Sequence, residues 1–431
     1  MRNRLGKHNI HVLFSISNRR AGVKFRYFLF ILCFCGVLGA SCLEASRLKT
    51  PYVGLFDEIC ELVEQNFYDP TLLQKRFLPI KGEYRRMVKL VSSSESFSLI
   101  INSLLNRLNT SHTYYLTPAD FEYYQLAGIF HSLPHIKKLF DNEEIRYPSV
   151  GLITLKSDGL DFIASVLPGS TAERAGLLAG DEIVAVNGAK YMGVASIRSS
   201  IGEQVRFSIR RKASDHDLLD FYPVPVLVNP KAEMLEAVKA SMQIIQAGTK
   251  KIGYVHLFSY AGPEYHEELL SALSFGSLKD VDALIIDLRY GLGGADPAYL
   301  NMFNKEVPVL MSFDNKGQEF PYDKQFRKPV VYLTNRYSRS GKELLAYGAK
   351  KFKLATVIGE NTAGSVTAGR LFSLTNGDLL YLAVMGAKVD GEVLEGCGVA
   401  PDILIKMDVR YSQGQDIQLQ GAVDHLIKIL G

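Results

Sequence analysis

Residues 329–365 constrain the fold more than any other stretch of this chain. An apolar run from Pro329 to Thr334 enters a tight polar turn carrying Ser338 and Ser340. A helical pattern follows, then a second apolar run from Leu354 to Ile358, then the glycine-containing loop GENTAGS. Buried strands alternating with helices imply a mostly parallel sheet. A serine between such a strand and a helix is well placed for a nucleophile. Its hydroxyl sits above the sheet edge, where the helix N-terminus supplies unpaired N–H groups and positive potential. Ser340 is the candidate, with Ser338 as the alternate. A serine there also suits a helix N-cap, because Gly-Lys-Glu is a common helix start.

The same alternation extends on both sides. IGYVHLF (252–258) reads as a strand, Pro263 to Leu273 as a helix and ALIIDLR (283–289) as a strand. The glycine loop YGLGGA, a helix over DPAYLNMF and the strand VVYL come next, and an amphipathic helix from Ile417 to Leu430 closes the chain. Residues 50–130 read differently. Val53, Phe56, Ile59 and Val63 recur at helical spacing, as do Phe97, Ile101, Leu104 and Leu108. Residues 146–212 carry short alternating runs, FIASVL, EIVAVN and VRFSIR, around the turn-rich PGSTAERAGLLAGD. Asp215 to Pro230 reads as a linker or edge segment.

These motifs carry a resemblance. NRYSRSGKE resembles the N-x-x-S-x-S-x-S-E nucleophile motif of the C-terminal-processing (tail-specific) and tricorn-core serine peptidases, placing Ser340 at the nucleophile and Glu343 at the closing acid. DLRYGLGGA resembles that family's DLRxNxGG loop, and EGCGVAPDI its EGxGVxPDI motif. The module at 146–212, with PGSTAERAGL and GDEIVAVNG, resembles a bacterial PDZ domain. The resemblance implies an α/β peptidase core (layered, mostly parallel, ClpP/crotonase-like) with an inserted PDZ domain and an N-terminal helical domain. Expected boundaries are 1–45 for a leader, 46–145 helical, 146–213 PDZ and 214–431 peptidase core.

Site residues follow from the resemblance. The tail-specific branch uses a lysine as base within GExTxGK, but GENTAGS places Ser365 there. The tricorn branch uses a histidine preceded by serine, and Ser111-His112 matches it. His112 is therefore expected as the base, since an imidazole titrates near neutrality without tuning. A helix-terminal histidine bonding the last carbonyls is the structural alternative. Glu395 is expected to orient the base, with Glu360 and Glu392 as alternatives and Asp402 as a structural residue. Gly341, Gly293 and Gly294 are the expected oxyanion donors. Val150, Gly151 and Leu152 are expected to capture a peptide C-terminus through a backbone nest, the peptide adding as a strand.

The implied function is an exported serine endopeptidase acting on proteins with free C-termini and needing no cofactor. A non-catalytic protein binding peptides or apolar ligands on the same fold is the rival. Arg2, Arg4, Lys7, Arg19, Arg20 and Lys24 precede the apolar run Phe25 to Leu43, and small residues Gly39, Ala40 and Ser41 lie near its end. That order predicts a leader cleaved near 40–45, or an uncleaved anchor, with a periplasmic or membrane-anchored product. The net charge of +4 is inflated by this segment and the remainder is close to neutral, so no nucleic-acid-binding face is expected. Three of the five cysteines fall in or beside it, leaving Cys60 and Cys397, expected as free thiols. With no CxxC or HExxH, a metal site is not expected.

Overall fold

The computed structural model describes residues 51–323 and 325–431. The predicted leader, with Cys33, Cys35 and Cys42, lies outside the described residues. No helix among the described residues is long and apolar enough to cross a membrane.

The core is a six-stranded sheet in the order Ile403–Leu404, Thr356–Gly359, Val330–Thr334, Ala283–Asp287, Lys250–His256, Gln243–Ala247. All pairs are parallel except the last, where Gln243–Ala247 runs antiparallel to its neighbour. The strands are apolar on both faces because both are covered. Ile252, Ile285, Val331, Leu333 and Ile358 pack against Ala422, Val423 and Leu426 of the Ile417–Leu430 helix. Val255, Leu284, Ile286 and Val357 pack on the opposite face against helices Pro230–Ser241, Pro263–Ser274 and Gly341–Lys351. Each large aliphatic side chain buried this way contributes roughly 1.5–3 kcal/mol. The sequence expectation of a helix over 296–303 is corrected in type: Pro297–Phe303 is a 3-10 helix. Seven residues form few longer-range helical bonds, and the i→i+3 bonds from Tyr299 and Asn304 suffice.

Helices Pro51–Asn66, Leu78–Val88 and Ser94–Asn106 form a separate core that closes over Leu380 and Leu382. This region also contributes a strand, Tyr114–Leu116, paired antiparallel with Leu379–Met385. The segment just before that strand is thereby tied to the peptidase core. A second five-stranded sheet is ordered Leu152–Ser157, Leu160–Val166, Glu182–Val186, Phe207–Arg210, Leu219–Phe221. Leu219–Phe221 belongs to the stretch read as a linker or edge, and it closes one edge of this sheet. Leu152–Ser157 forms the other edge. Cys60 is buried, Cys397 is exposed, and both are free thiols.

Candidate active site

Three loops leave the carboxyl ends of adjacent parallel strands, where open α/β sheets place their ligands. They are residues 288–296, 335–340 and 360–367. In the middle loop, Ser338 N–H donates to the Asn335 carbonyl at 2.8 Å, and Ser338 Oγ accepts from Asn335 N–H at 3.0 Å. Ser338 is fully buried, so its hydroxyl serves the turn. Ser340 is half-buried at φ +58°, ψ −132°. It occupies the N-cap position of Gly341–Lys351, but an N-cap residue is normally extended. A non-glycine residue at that φ stores strain on the order of 1–3 kcal/mol, and such strain clusters at active sites.

Glu343 fixes the turn. One carboxylate oxygen accepts from Ser340 N–H at 3.2 Å and Ser365 N–H at 2.7 Å. The other accepts from Thr362 Oγ1 at 2.6 Å and Gly364 N–H at 2.7 Å. Burial pushes this carboxyl above its ordinary range, and the four donors oppose that shift. Glu343 thus welds the nucleophile turn to the GENTAGS loop. Ser365 contributes backbone only, its carbonyl accepting from Ser340 N–H at 2.9 Å.

The same loop reaches the histidine. Ser111 Oγ lies 3.2 Å from His112 Nδ1, and Thr367 Oγ1 lies 3.2 Å from the same nitrogen. The two hydroxyls are 2.7 Å apart. Glu395 accepts from Ser111 Oγ at 2.9 Å, Ser111 N–H at 2.7 Å and Val366 N–H at 2.9 Å. Glu395 and Ser111 are 284 residues apart in sequence. His112 is not a helix-terminal residue bonding last-turn carbonyls: it sits at φ +52°, past the helix, with its ring edge on Tyr381. The expectation of a near-neutral imidazole is corrected. Burial, aided by the Arg339 guanidinium, pushes His112 down to about 4, against the pull of Glu395 and Glu122. The ring is therefore neutral at pH 7 and able to accept a proton. No hydrogen bond joins it to Ser340 Oγ.

The third loop packs against the serine. A Cβ on Gly293 would fall 2.5 Å from Ser340 Cβ and 3.1 Å from its Oγ, so only glycine allows this approach. The Gly293 carbonyl accepts from Tyr260 N–H at 3.1 Å. In a trans peptide the next N–H, that of Gly294, points the opposite way, away from Tyr260. Gly341, at the first position of its helix, has an N–H with no intrahelical acceptor. Gly294 and Gly341 thus offer two donors beside the serine, while Gly293 supplies room. Beneath the loop, Arg289 pairs with Asp287 at 2.5 Å and with Asp416 at 2.5 Å, anchoring it to the last helix.

The expected nest behaves differently. Gly151 has φ +84°, and its N–H already donates to Ser149 Oγ at 2.9 Å. Val150 and Leu152 are buried and line a groove of about 450 Å³ with Thr154 and Lys156. The opposite wall is the Thr117–Phe121 segment, whose Ala119 carbonyl accepts from Val194 N–H at 2.8 Å. On the other face of the same edge strand, Ile153 and Leu155 line a cavity of about 530 Å³ that reaches Tyr290, Leu292, Arg339 and Ser365. Thr154 and Lys156 line both spaces, so this edge strand forms a wall of each.

Of the other acids considered, Glu392 is exposed and Glu360 is half-buried with its carboxyl raised by burial. Asp402 accepts from Val357 N–H at 2.9 Å. Thr367 was not singled out from sequence, and neither was the ion pair of Arg339 with Glu122 beside the serine. The arrangement assembles a strained hydroxyl, a neutral imidazole backed by hydroxyls and a carboxylate, and two backbone donors. Those are the parts required for acyl transfer.

Comparison with known proteins bears on the fold and the family. Residues 251–405 match peptidase family S41, and residues 162–211 match the PDZ domain family. The carboxy-terminal processing protease CtpB of Bacillus subtilis is 24% identical over 358 residues, covering 79% of this chain and 69% of that protein. The tricorn protease of Thermoplasma volcanium is 23% identical over 411 residues, covering 89% of this chain but only 37% of that protein. A crystal structure of the tricorn protease superposes with a TM-score of 0.52 at 19% identity, over 88% of this chain and 37% of that one. The chain thus carries a peptidase family S41 domain and a PDZ domain, and it is similar to carboxy-terminal processing and tricorn proteases.

Proposed function

We propose that this chain is an exported endopeptidase that hydrolyses unstructured protein C-termini by a Ser-His-Glu mechanism. Ser340 Oγ attacks the scissile carbonyl while His112 Nε2 takes its proton. The Ser111 hydroxyl accepts from Nδ1–H and passes its own hydrogen bond to Glu395, which favours the imidazolium as it forms. The oxyanion is received by the N–H groups of Gly294 and Gly341. Collapse returns the proton to the leaving amine, and water then releases the acyl group through the same histidine. A substrate strand adds beside Leu152–Ser157, with its C-terminus toward Val150–Leu152, and runs on toward the serine. Its carboxylate replaces Ser149 Oγ at the Gly151 N–H. Export follows from the basic-then-apolar order of residues 1–45.

The observation that carries this reading is the 360–367 loop. Its Ser365 carbonyl holds Ser340 while its Thr367 hydroxyl touches His112, joining nucleophile and base through three residues. A fluorophosphonate probe tests it. Wild type should label and Ser340→Ala should not. Equal labelling of the two would reassign the nucleophile, and no labelling of either would favour the non-catalytic binding protein.

A further inference from the structure

Two residues after the nucleophile stands a lysine where burial is complete. Lys342 has no exposed surface. Its ammonium donates to the Tyr290 carbonyl at 2.7 Å and to the Phe258 carbonyl at 3.5 Å. Those carbonyls belong to the two segments that form the floor and rim of the oxyanion loop. Leu292 N–H also donates to the Phe258 carbonyl, at 2.7 Å, and Tyr260 N–H donates to the Gly293 carbonyl. Gly291, at φ +65°, lies so close over Phe258 that a side chain there would collide with its carbonyl. The segments 258–260 and 290–293 are thus zipped together, and Lys342 is the one side chain from the nucleophile helix that clasps both.

The placement is electrostatically adverse. An ammonium in the first turn of a helix faces the positive end of the macrodipole. Arg339 adds a second positive charge close by, and only Asp287 opposes it. A methionine of similar length would fill the same volume without the cost of burying a charge, but it would leave the Tyr290 carbonyl without its donor. The ammonium is therefore explained by the carbonyls it holds, not by stability.

We propose that Lys342 is a positioning residue that locks the oxyanion loop to the nucleophile helix, so that the Gly294 and Gly341 N–H groups face one point beside Ser340 Oγ. This rests on the assignment of Ser340 as nucleophile. The clamp is strongest when the amine is charged. Burial, with Arg339 beside it, pushes Lys342 down to about 7. The other groups facing it are fixed near neutrality: Asp287 is ionised and paired with Arg289, which is also paired with Asp416, and buried His256 is neutral. Activity should then be full between the acid limb set by His112 near 4 and about pH 7, and fall as pH rises through 7.

The test compares Lys342→Met with Lys342→Gln, which keeps N–H donors without the charge. In Met, kcat should fall ~100-fold with KM within threefold, the size expected when an oxyanion donor is misplaced. Its melting temperature should change little, the relief of a buried charge offsetting the carbonyl left without a donor, and the fall in activity above pH 7 should disappear. Gln should recover part of kcat. Wild-type kcat in Met, or equal losses in Met and Gln that track a lowered melting temperature, would overturn the proposal. Ser340-dependent probe labelling of wild type, measured alongside, separates this outcome from failure of the nucleophile assignment.

Discussion

His112 and His256 are alike by every bulk measure. Each is 7% exposed, and burial pushes each ring down to about 4. Each lies near a carboxylate and an arginine. Their connections differ. His256 stacks on Phe258 at 3.7 Å between ring centres, binds the Arg289 carbonyl through Nε2 at 2.8 Å, and turns Nδ1 toward Asp287 at 3.8 Å. Both of its nitrogens are committed to the scaffold beneath the oxyanion loop. His112 commits only Nδ1, to two hydroxyls, and its Nε2 makes no hydrogen bond to the described residues. Burial and titration do not separate the proposed base from the structural histidine. The uncommitted nitrogen is what marks His112 as the candidate.

The comparison breaks most sharply under alanine substitution. His112→Ala should lower kcat/KM by ~10⁴-fold, as removal of a general base does, with little change in melting temperature. His256→Ala should instead cost about 2–4 kcal/mol of stability, from the lost stacking and an unpaired carbonyl, while the folded fraction keeps activity within ~10-fold. Peptide hydrolysis and urea unfolding on both variants check this. The reverse pattern would assign His256 to the chemistry.

A finer split lies within the His112 cluster. Glu395→Gln leaves Ser111 Oγ a neutral acceptor and should cost ~100-fold in kcat, because the imidazolium loses its charged backing. Thr367→Val removes one of two hydroxyls on Nδ1 and should cost only ~10-fold, about one hydrogen bond. Steady-state kinetics at fixed pH give the ordering, and a larger loss in Thr367→Val would make threonine the main partner of the ring.

Much of this was legible in the chain. Ser340, the glycine loop, Ser111-His112 and Glu395 each sit in a motif with a backbone or charge signature. The parallel core follows from apolar runs bounded by turns. Thr367 had no such signature, because a threonine after a loop is ordinary until the fold brings residue 111 to it, 256 positions away. Lys342 carries no sequence signature of its role. Its acceptors lie 52 and 84 residues upstream, so neither its burial nor its partners can be seen from local pattern. The depression of His112 was invisible for the same reason: desolvation belongs to the packed fold, not to the sequence neighbours.

Acid stability gives the smallest and most even-handed test. An unfolded histidine titrates near 6.5, and both of these titrate near 4 when folded. Between those values the unfolded chain binds more protons, so stability rises with pH across the window and is lost as pH falls from about 6.5 toward 4. Below about 4 the loss levels off. Each ring accounts for about 3 kcal/mol of it. His112→Gln and His256→Gln should therefore flatten the acid dependence of the urea midpoint by similar amounts, although only the first abolishes activity. Equal flattening with unequal catalysis would show that the two sites share one electrostatic environment and differ in the single ring nitrogen left open. If His112→Gln retained the full wild-type acid dependence, the ring would already be hydrated in the resting enzyme. The acid limb of kcat/KM would then move up from about 4 toward the ordinary imidazole range.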